Sequence, residues 1–138
     1  MKNLYLSALV LFSLACLAVG VAFAGGGSGA KVKFRLTEMS ILPTQARVPA
    51  GKVTLIARNQ GSIEHELVVV RAPRSGKLRV DHYKAAEAGA VGEIEEFEPG
   101  KEGRVTLSLR AGRYLLICNI PGHYQLGMRA VLLVGGGG

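Results

Sequence analysis

From residue 31 to residue 134, short runs of Val, Leu and Ile are cut about every ten residues by clusters that favour turns. The cuts fall at Pro49-Ala50-Gly51, Asn59-Gln60-Gly61-Ser62, Pro73 to Gly76, Pro99-Gly100, Ala111-Gly112 and Pro121-Gly122. Such punctuation is the pattern of an antiparallel β-sandwich or barrel, and it predicts an all-β fold class. Lys31-Val32-Lys33-Phe34-Arg35-Leu36 alternates polar with apolar residues, so Val32, Phe34 and Leu36 face one way in a half-buried first strand. Further strands are expected over 44–48 (an edge strand stopped by Pro49), 52–59, 63–70, 104–109, 113–120 and 128–134. The run Tyr114-Leu115-Leu116-Ile117-Cys118 is apolar on both faces, which suits a central strand.

One segment breaks the pattern. Residues 81–89 start with Asp81, continue through good helix formers and end at Gly89, which predicts a single short helix. His82, beside Asp81 at that expected helix start, reads as a surface residue. Glu93, Glu95, Glu96 and Glu98 follow as a local acidic strip, read as a solvated face.

The N-terminus has a different character. Lys2 precedes an uncharged stretch over 4–24 that ends Ala22-Phe23-Ala24, which is a basic start, an apolar middle and an A-x-A exit. This reads as an export signal, with an uncleaved membrane anchor as the alternative because the stretch is long enough to span a bilayer. The chain is thus expected to divide into a signal or anchor over 1–24, a glycine-rich linker over 25–30, a folded domain over 31–134 and a glycine tail over 135–138. Export would place the protein in a periplasm or on the outer face of the cytoplasmic membrane.

Removal of the signal takes Lys2 and Cys16 with it. The formal net charge falls from +7 to +6, and Cys118 becomes the sole cysteine. An unpaired thiol in an oxidising compartment must be buried or ligated.

Its surroundings suggest ligated. Cys118-Asn119-Ile120-Pro121-Gly122-His123-Tyr124-Gln125-Leu126-Gly127-Met128 sets Cys, His and Met in a C-x4-H-x4-M loop between two expected strands. His65 is the candidate for a fourth group, because strand alternation aligns it with Ile63, Leu67 and Val69 on an apolar face. Taken singly, each residue has an ordinary explanation: a hydrogen-bonded core histidine, an inert thiol, a gap-filling methionine. Taken together, two imidazoles, a thiolate and a weak axial thioether are what a blue-copper electron-transfer site requires.

On these residues the chain resembles the cupredoxins, the small exported blue copper proteins of the plastocyanin, azurin and rusticyanin type. The likeness rests on Gly61-Ser62-Ile63-Glu64-His65 and on the loop from Cys118 to Met128. It implies a Greek-key β-sandwich or barrel, one type 1 copper per chain, His65, Cys118 and His123 as equatorial ligands and Met128 as the axial one. It also implies an electron carrier, here expected to be a monomer, serving redox partners such as c-type cytochromes or a terminal oxidase or reductase. Electrons would pass through His123 across an apolar patch of Pro121, Gly122, Tyr124 and Leu126. One residue departs from the pattern: family members commonly carry Asn directly after the first ligand, where this chain has Glu66.

Other functions fit less well. A site filled by four protein ligands leaves no open position for catalysis, and no Ser-His-Asp order, HExxH or glycine-rich phosphate loop is present, so the chain is not expected to be an enzyme. Nucleic acid is not expected as a partner, for want of an aromatic-basic stripe. The runner-up function is a copper carrier or buffer that delivers the ion to a cuproenzyme.

Overall fold

The computed structural model describes residues 29–135. The expected export segment, most of the glycine linker and the end of the glycine tail lie outside the described residues.

Alternation dictates the first strand, β1 (Ala30–Thr37): Val32, Phe34 and Leu36 are buried while Lys31, Lys33 and Arg35 face solvent. It is flanked by β2 (Ser40–Pro43) and β4 (Gly51–Asn59), and β9 (Glu102–Leu109) completes a four-stranded sheet in the order β2-β1-β4-β9. The second sheet holds β3 (Arg47–Pro49), β5 (His65–Arg71), β8 (Ala90–Phe97), β10 (Gly112–Ile117) and β11 (Arg129–Gly135), in the order β3-β11-β10-β5-β8. The pairs β1·β4 and β3·β11 are parallel and the others antiparallel, and the chain changes sheet at β3, at β4 and again at β5.

The two sheets enclose one core of Phe34, Leu36, Leu55, Leu67, Val69, Leu116 and Leu132, in which Cys118 and Met128 are also buried. Burying a side chain of this size stabilises the fold by about 1.5–3 kcal/mol. The strands β5 and β10 are apolar on both faces, as expected of a central strand. Their outer faces, Val68, Val70, Leu115 and Ile117, form a second cluster with Ala85 and Tyr124.

The segment over that outer cluster corrects the helix expected at 81–89. Among the described residues there is no helix, and this stretch forms a small hairpin, β6 (Val80–Asp81) paired with β7 (Lys84–Ala85). His82 and Tyr83 take positive φ values of 46° and 65°, the conformation of a tight two-residue hairpin turn. Nine residues are too few for helix propensity alone to prevail. Only Ala85 of residues 81–89 is buried, so no apolar helical stripe existed to dock. The acidic strip faces solvent, and most of it does so from a strand. It lies on β8, an edge strand whose outward Glu93, Glu95 and Glu96 discourage further pairing.

The strand pairing also fixes the ends of the sandwich. Leu36 pairs with Asn59 and His65 with Phe97 at one end, while Gly51 pairs with Leu109 and Gly112 with Val134 at the other. The loop from Cys118 to Met128 closes the first of these ends.

Candidate metal centre

Three elements deliver the candidate ligands to one point. His65 is the first residue of β5, Cys118 directly follows β10, and His123 lies in the turn between β10 and β11. The loop is folded by its own backbone: the His123 amide donates to the Ile120 carbonyl at 3.0 Å, the Leu126 amide to Gly122 at 3.0 Å and the Gly127 amide to Tyr124 at 3.1 Å. Gly122 and Gly127, at φ of 89° and 107°, take the backbone conformations these turns require. Met128 closes the loop, donating to the His123 carbonyl at 3.0 Å and accepting from the Cys118 amide at 3.1 Å.

Nδ1 of His123 lies 3.3 Å and Nδ1 of His65 3.9 Å from the sulfur of Cys118. The ligand atoms of all three residues fall within 4.8 Å of one another, and all three residues are buried. The two imidazoles stand edge to face, with centroids 5.3 Å apart and planes at 64°. Met128 is fully buried in the same core cluster as Cys118. Two neutral imidazoles and a thiolate, with a buried methionine at the end of the same loop, form a donor set that suits copper in both its oxidation states.

Electrostatics separate this cluster from a nucleophilic Cys-His pair. Burial pushes the Cys118 thiol up, although the backbone amides of Glu66 and Ile120 direct hydrogen bonds at its sulfur. A reactive cysteine has a lowered pKa and partial exposure, and Cys118 has neither. Burial also pushes His65 and His123 down, with repulsion from His123 adding to the effect on His65. Neutral imidazoles and a dry site are what a metal finds useful.

The model of the Sulfocyanin (SoxE) domain matches residues 22–137. The chain belongs to the sulfocyanin family. This places it among the cupredoxins, and its donor cluster has the composition of a single type 1 copper site. Among solved structures it is similar to the dithionite-reduced auracyanin of Roseiflexus castenholzii, with 19% identity, TM-score 0.61, and 79% of this chain and 99% of that one covered. It is similar also to auracyanin B, at 24% identity and TM-score 0.61 over 76% of this chain and 88% of that one. Auracyanin A of Chloroflexus aurantiacus, described as a "blue" copper protein, matches at 22% identity and TM-score 0.55 over 77% of this chain and all of that one. These structural likenesses support the fold; comparison with curated protein sequences finds no match.

In this sulfocyanin-family chain the residue after His65 does tie two segments of the site together. The side chain of Glu66 accepts the backbone amide of Asn119 at 2.8 Å, joining β5 to the residue that follows Cys118. A carboxylate thus occupies the place where cupredoxins commonly have an amide. Burial holds the Glu66 carboxyl above its ordinary value, against the opposing Asn119 hydrogen bond.

Asn119 was not singled out by its sequence context, yet it organises the loop's outer side. Its Oδ1 accepts from the Ala85 amide at 2.6 Å, and its Nδ2 donates to the Ala85 carbonyl at 3.0 Å and to Glu87 at 2.6 Å. The β6–β7 hairpin is thereby fastened to the 118–128 loop, and the Gly122 amide adds a bond to the Tyr83 carbonyl at 2.8 Å.

The expected surface patch changes membership. Tyr124 turns inward and accepts the Leu78 amide at 3.0 Å through its hydroxyl, so it is not a surface residue. Leu126 is 67% exposed; Tyr83, whose carbonyl accepts the Gly122 amide, is 73% exposed, and Ile63, two positions before His65, is 42% exposed, neither of which the sequence suggested. Leu67 and Leu116 are buried as expected and Ile120 is half-buried, while Pro121 faces solvent. His82 is exposed, 3.6 Å from Asp81 and apart from the cluster.

A pH dependence of the metal-free protein follows. The pKa values of His65 and His123 are lowered on folding, so as pH falls below about 6.5 the unfolded state binds more protons and stability declines. The pKa of Cys118 is raised, so as pH rises above about 9 the unfolded state releases its proton first and stability declines again. Urea midpoints of the metal-free protein are expected to be highest between these limits. A midpoint still rising as pH falls from 6.5 to 5.5 would contradict the buried neutral histidines.

Proposed function

We propose that this protein carries single electrons outside the cytoplasm, holding one type 1 copper through His65, Cys118, His123 and Met128. The observation that carries the reading is the convergence of both Nδ1 atoms on the fully buried sulfur of Cys118. Copper supplies the redox chemistry by passing between Cu(I) and Cu(II).

The protein's part is to keep the donors in one arrangement while the charge changes. The loop is closed by backbone hydrogen bonds at Met128, tied to β5 by Glu66 and fastened to the β6–β7 hairpin by Asn119. Rearrangement on electron transfer is thereby limited. Burial excludes water from the sulfur, and the amides of Glu66 and Ile120 favour the thiolate.

Export to a periplasm or to the outer face of the membrane, after cleavage or retention of the segment over 4–24, would bring the protein to c-type cytochromes or a terminal oxidase or reductase. Docking falls to exposed apolar residues at the loop that carries His123 and at the entry to His65, namely Leu126, Tyr83 and Ile63. The net charge offers little guidance there. Lys31, Lys52, Arg71, Arg110 and Arg113 mark the opposite end of the sandwich, while the copper end mixes Glu38, Glu64, Glu98 and Glu102 with Arg58 and Lys101.

Leu126→Glu is therefore expected to slow electron exchange with a c-type cytochrome about tenfold or more, since burying an uncompensated charge in a contact opposes association. Its visible spectrum should match that of the wild type. Stopped-flow reduction kinetics and a spectrum on the same sample check both halves. Unchanged kinetics would remove Leu126 from the docking face, and a lost spectrum would make it a structural support of the site.

A further inference from the structure

The turn between β1 and β2 brings an acid to the rear of the first ligand. Oε1 of Glu38 accepts the Ser62 amide at 2.5 Å, the Ile63 amide at 3.3 Å and the Ser62 hydroxyl at 3.3 Å, and it lies 3.8 Å from Nε2 of His65. Among the described residues that Nε2 finds no hydrogen-bond partner, although it is buried. Gly61 permits the approach. A Cβ at that position would come within 3.0 Å of His65 Nε2 and would overlap the carboxylate oxygen.

The chemistry of the ring makes this placement consequential. Nδ1 of His65 faces the sulfur of Cys118, so it can serve as a ligand only if the ring proton sits on Nε2. That proton then lies beside a carboxylate. Metal-bound histidines commonly give their second N–H to such a group, which fixes tautomer and ring orientation and strengthens the donor.

We propose that Glu38 is a positioning residue for His65, holding its imidazole as the Nε2–H tautomer and biasing the site toward the cupric state with its negative charge. The inference rests on the reading of His65 as a copper ligand. Glu38 touches no metal in this account and acts through the ring and through the 61–63 segment that it clamps. Its Oε1 accepts two amides and a hydroxyl from the Ser62–Ile63 turn and its side chain is partly exposed, surroundings that suit a charged carboxylate.

Glu38→Gln separates the two roles, because its carbonyl oxygen can still accept the Ser62 and Ile63 amides but carries no charge. Copper-loaded E38Q is expected to keep its visible band while the Cu(II)/Cu(I) equilibrium moves about tenfold toward Cu(I), a rise of about 59 mV for a one-electron couple. In the metal-free protein, two-bond proton–nitrogen NMR is expected to show His65 as Nε2–H in the wild type and a new Nδ1–H population in Glu38→Ala. An E38Q potential equal to the wild type's, together with an unchanged tautomer in E38A, would reduce Glu38 to a loop clamp and overturn the proposal. If the wild type takes up copper without colour, the ligand reading fails. The tautomer experiment, which needs no metal, then decides whether Glu38 positions His65.

Discussion

Asn119→Ala is expected to lower stability by about 2–4 kcal/mol, the largest effect foreseen for a residue outside the ligand set. The substitution removes the acceptor of the Ala85 amide and the donor to the Ala85 carbonyl, and Ala85 is itself buried. Each stranded backbone group costs about 1–3 kcal/mol unless water reaches it. Partial release of the β6–β7 hairpin would admit that water, which sets the lower bound. For a domain of this size the melting temperature should drop on the order of 10 °C. The Glu66 bond to the Asn119 backbone amide survives, so the metal-loaded variant should retain its colour with a looser loop. Calorimetry with and without copper checks both points, and a melting temperature within 2 °C of the wild type would remove Asn119 from this role.

Cys118→Ala should have the larger spectroscopic effect, a complete loss of any thiolate-to-copper absorption, because no other sulfur in the described cluster can form a thiolate. The fold should persist. The change deletes one buried atom from a core held mainly by Leu and Val residues, at a cost of about 1–2 kcal/mol. The two proteins then diverge when copper is added. A ligand present at a thousandfold excess over its dissociation constant stabilises the folded state by about 4 kcal/mol, so the wild type should melt at a markedly higher temperature with copper and the variant should not. Equal copper-induced shifts in the two proteins would place the metal elsewhere.

What the sequence disclosed about this molecule was local in character. Alternation in 31–36, the two-faced apolar run at 114–118 and the turn clusters are short-range signals, and they place β1, β10 and most of the second sheet correctly. The C-x4-H-x4-M spacing works in the same way, because one loop holds three of the four candidate ligands. The helix expected at 81–89 shows the limit. Its propensity signals were real but weak, and what decides the conformation is Asn119, 34 positions away from Ala85. Ser40–Pro43 is a four-residue edge strand with little pattern of its own, and it forms because Leu36 and Ile41 pair across the turn.

The supports of the site were hidden for the same reason. Glu66 stood out only as a departure from a familiar pattern, and the hydrogen bond that explains it spans 53 positions. Glu38 carried no signal, since its neighbours Ser62, Ile63 and His65 approach it only through the pairing of β1 with β4. Tyr124 reads as part of the surface patch because it follows His123 in the loop, where the resemblance implies an apolar surface around that imidazole. The second cluster on the outer face of β5 and β10 is a tertiary feature that no local pattern announces.

The most direct test is a titration of the metal-free protein with Cu(II), followed by its visible spectrum. The expected result is an intense band toward the red end that saturates at one copper per chain. A one-electron reductant should bleach that band, and reoxidation should restore it with no copper lost. A tightly bound metal that stays colourless, or a band that fails to return after one redox cycle, would contradict the assignment of this sulfocyanin-family chain as a one-electron carrier.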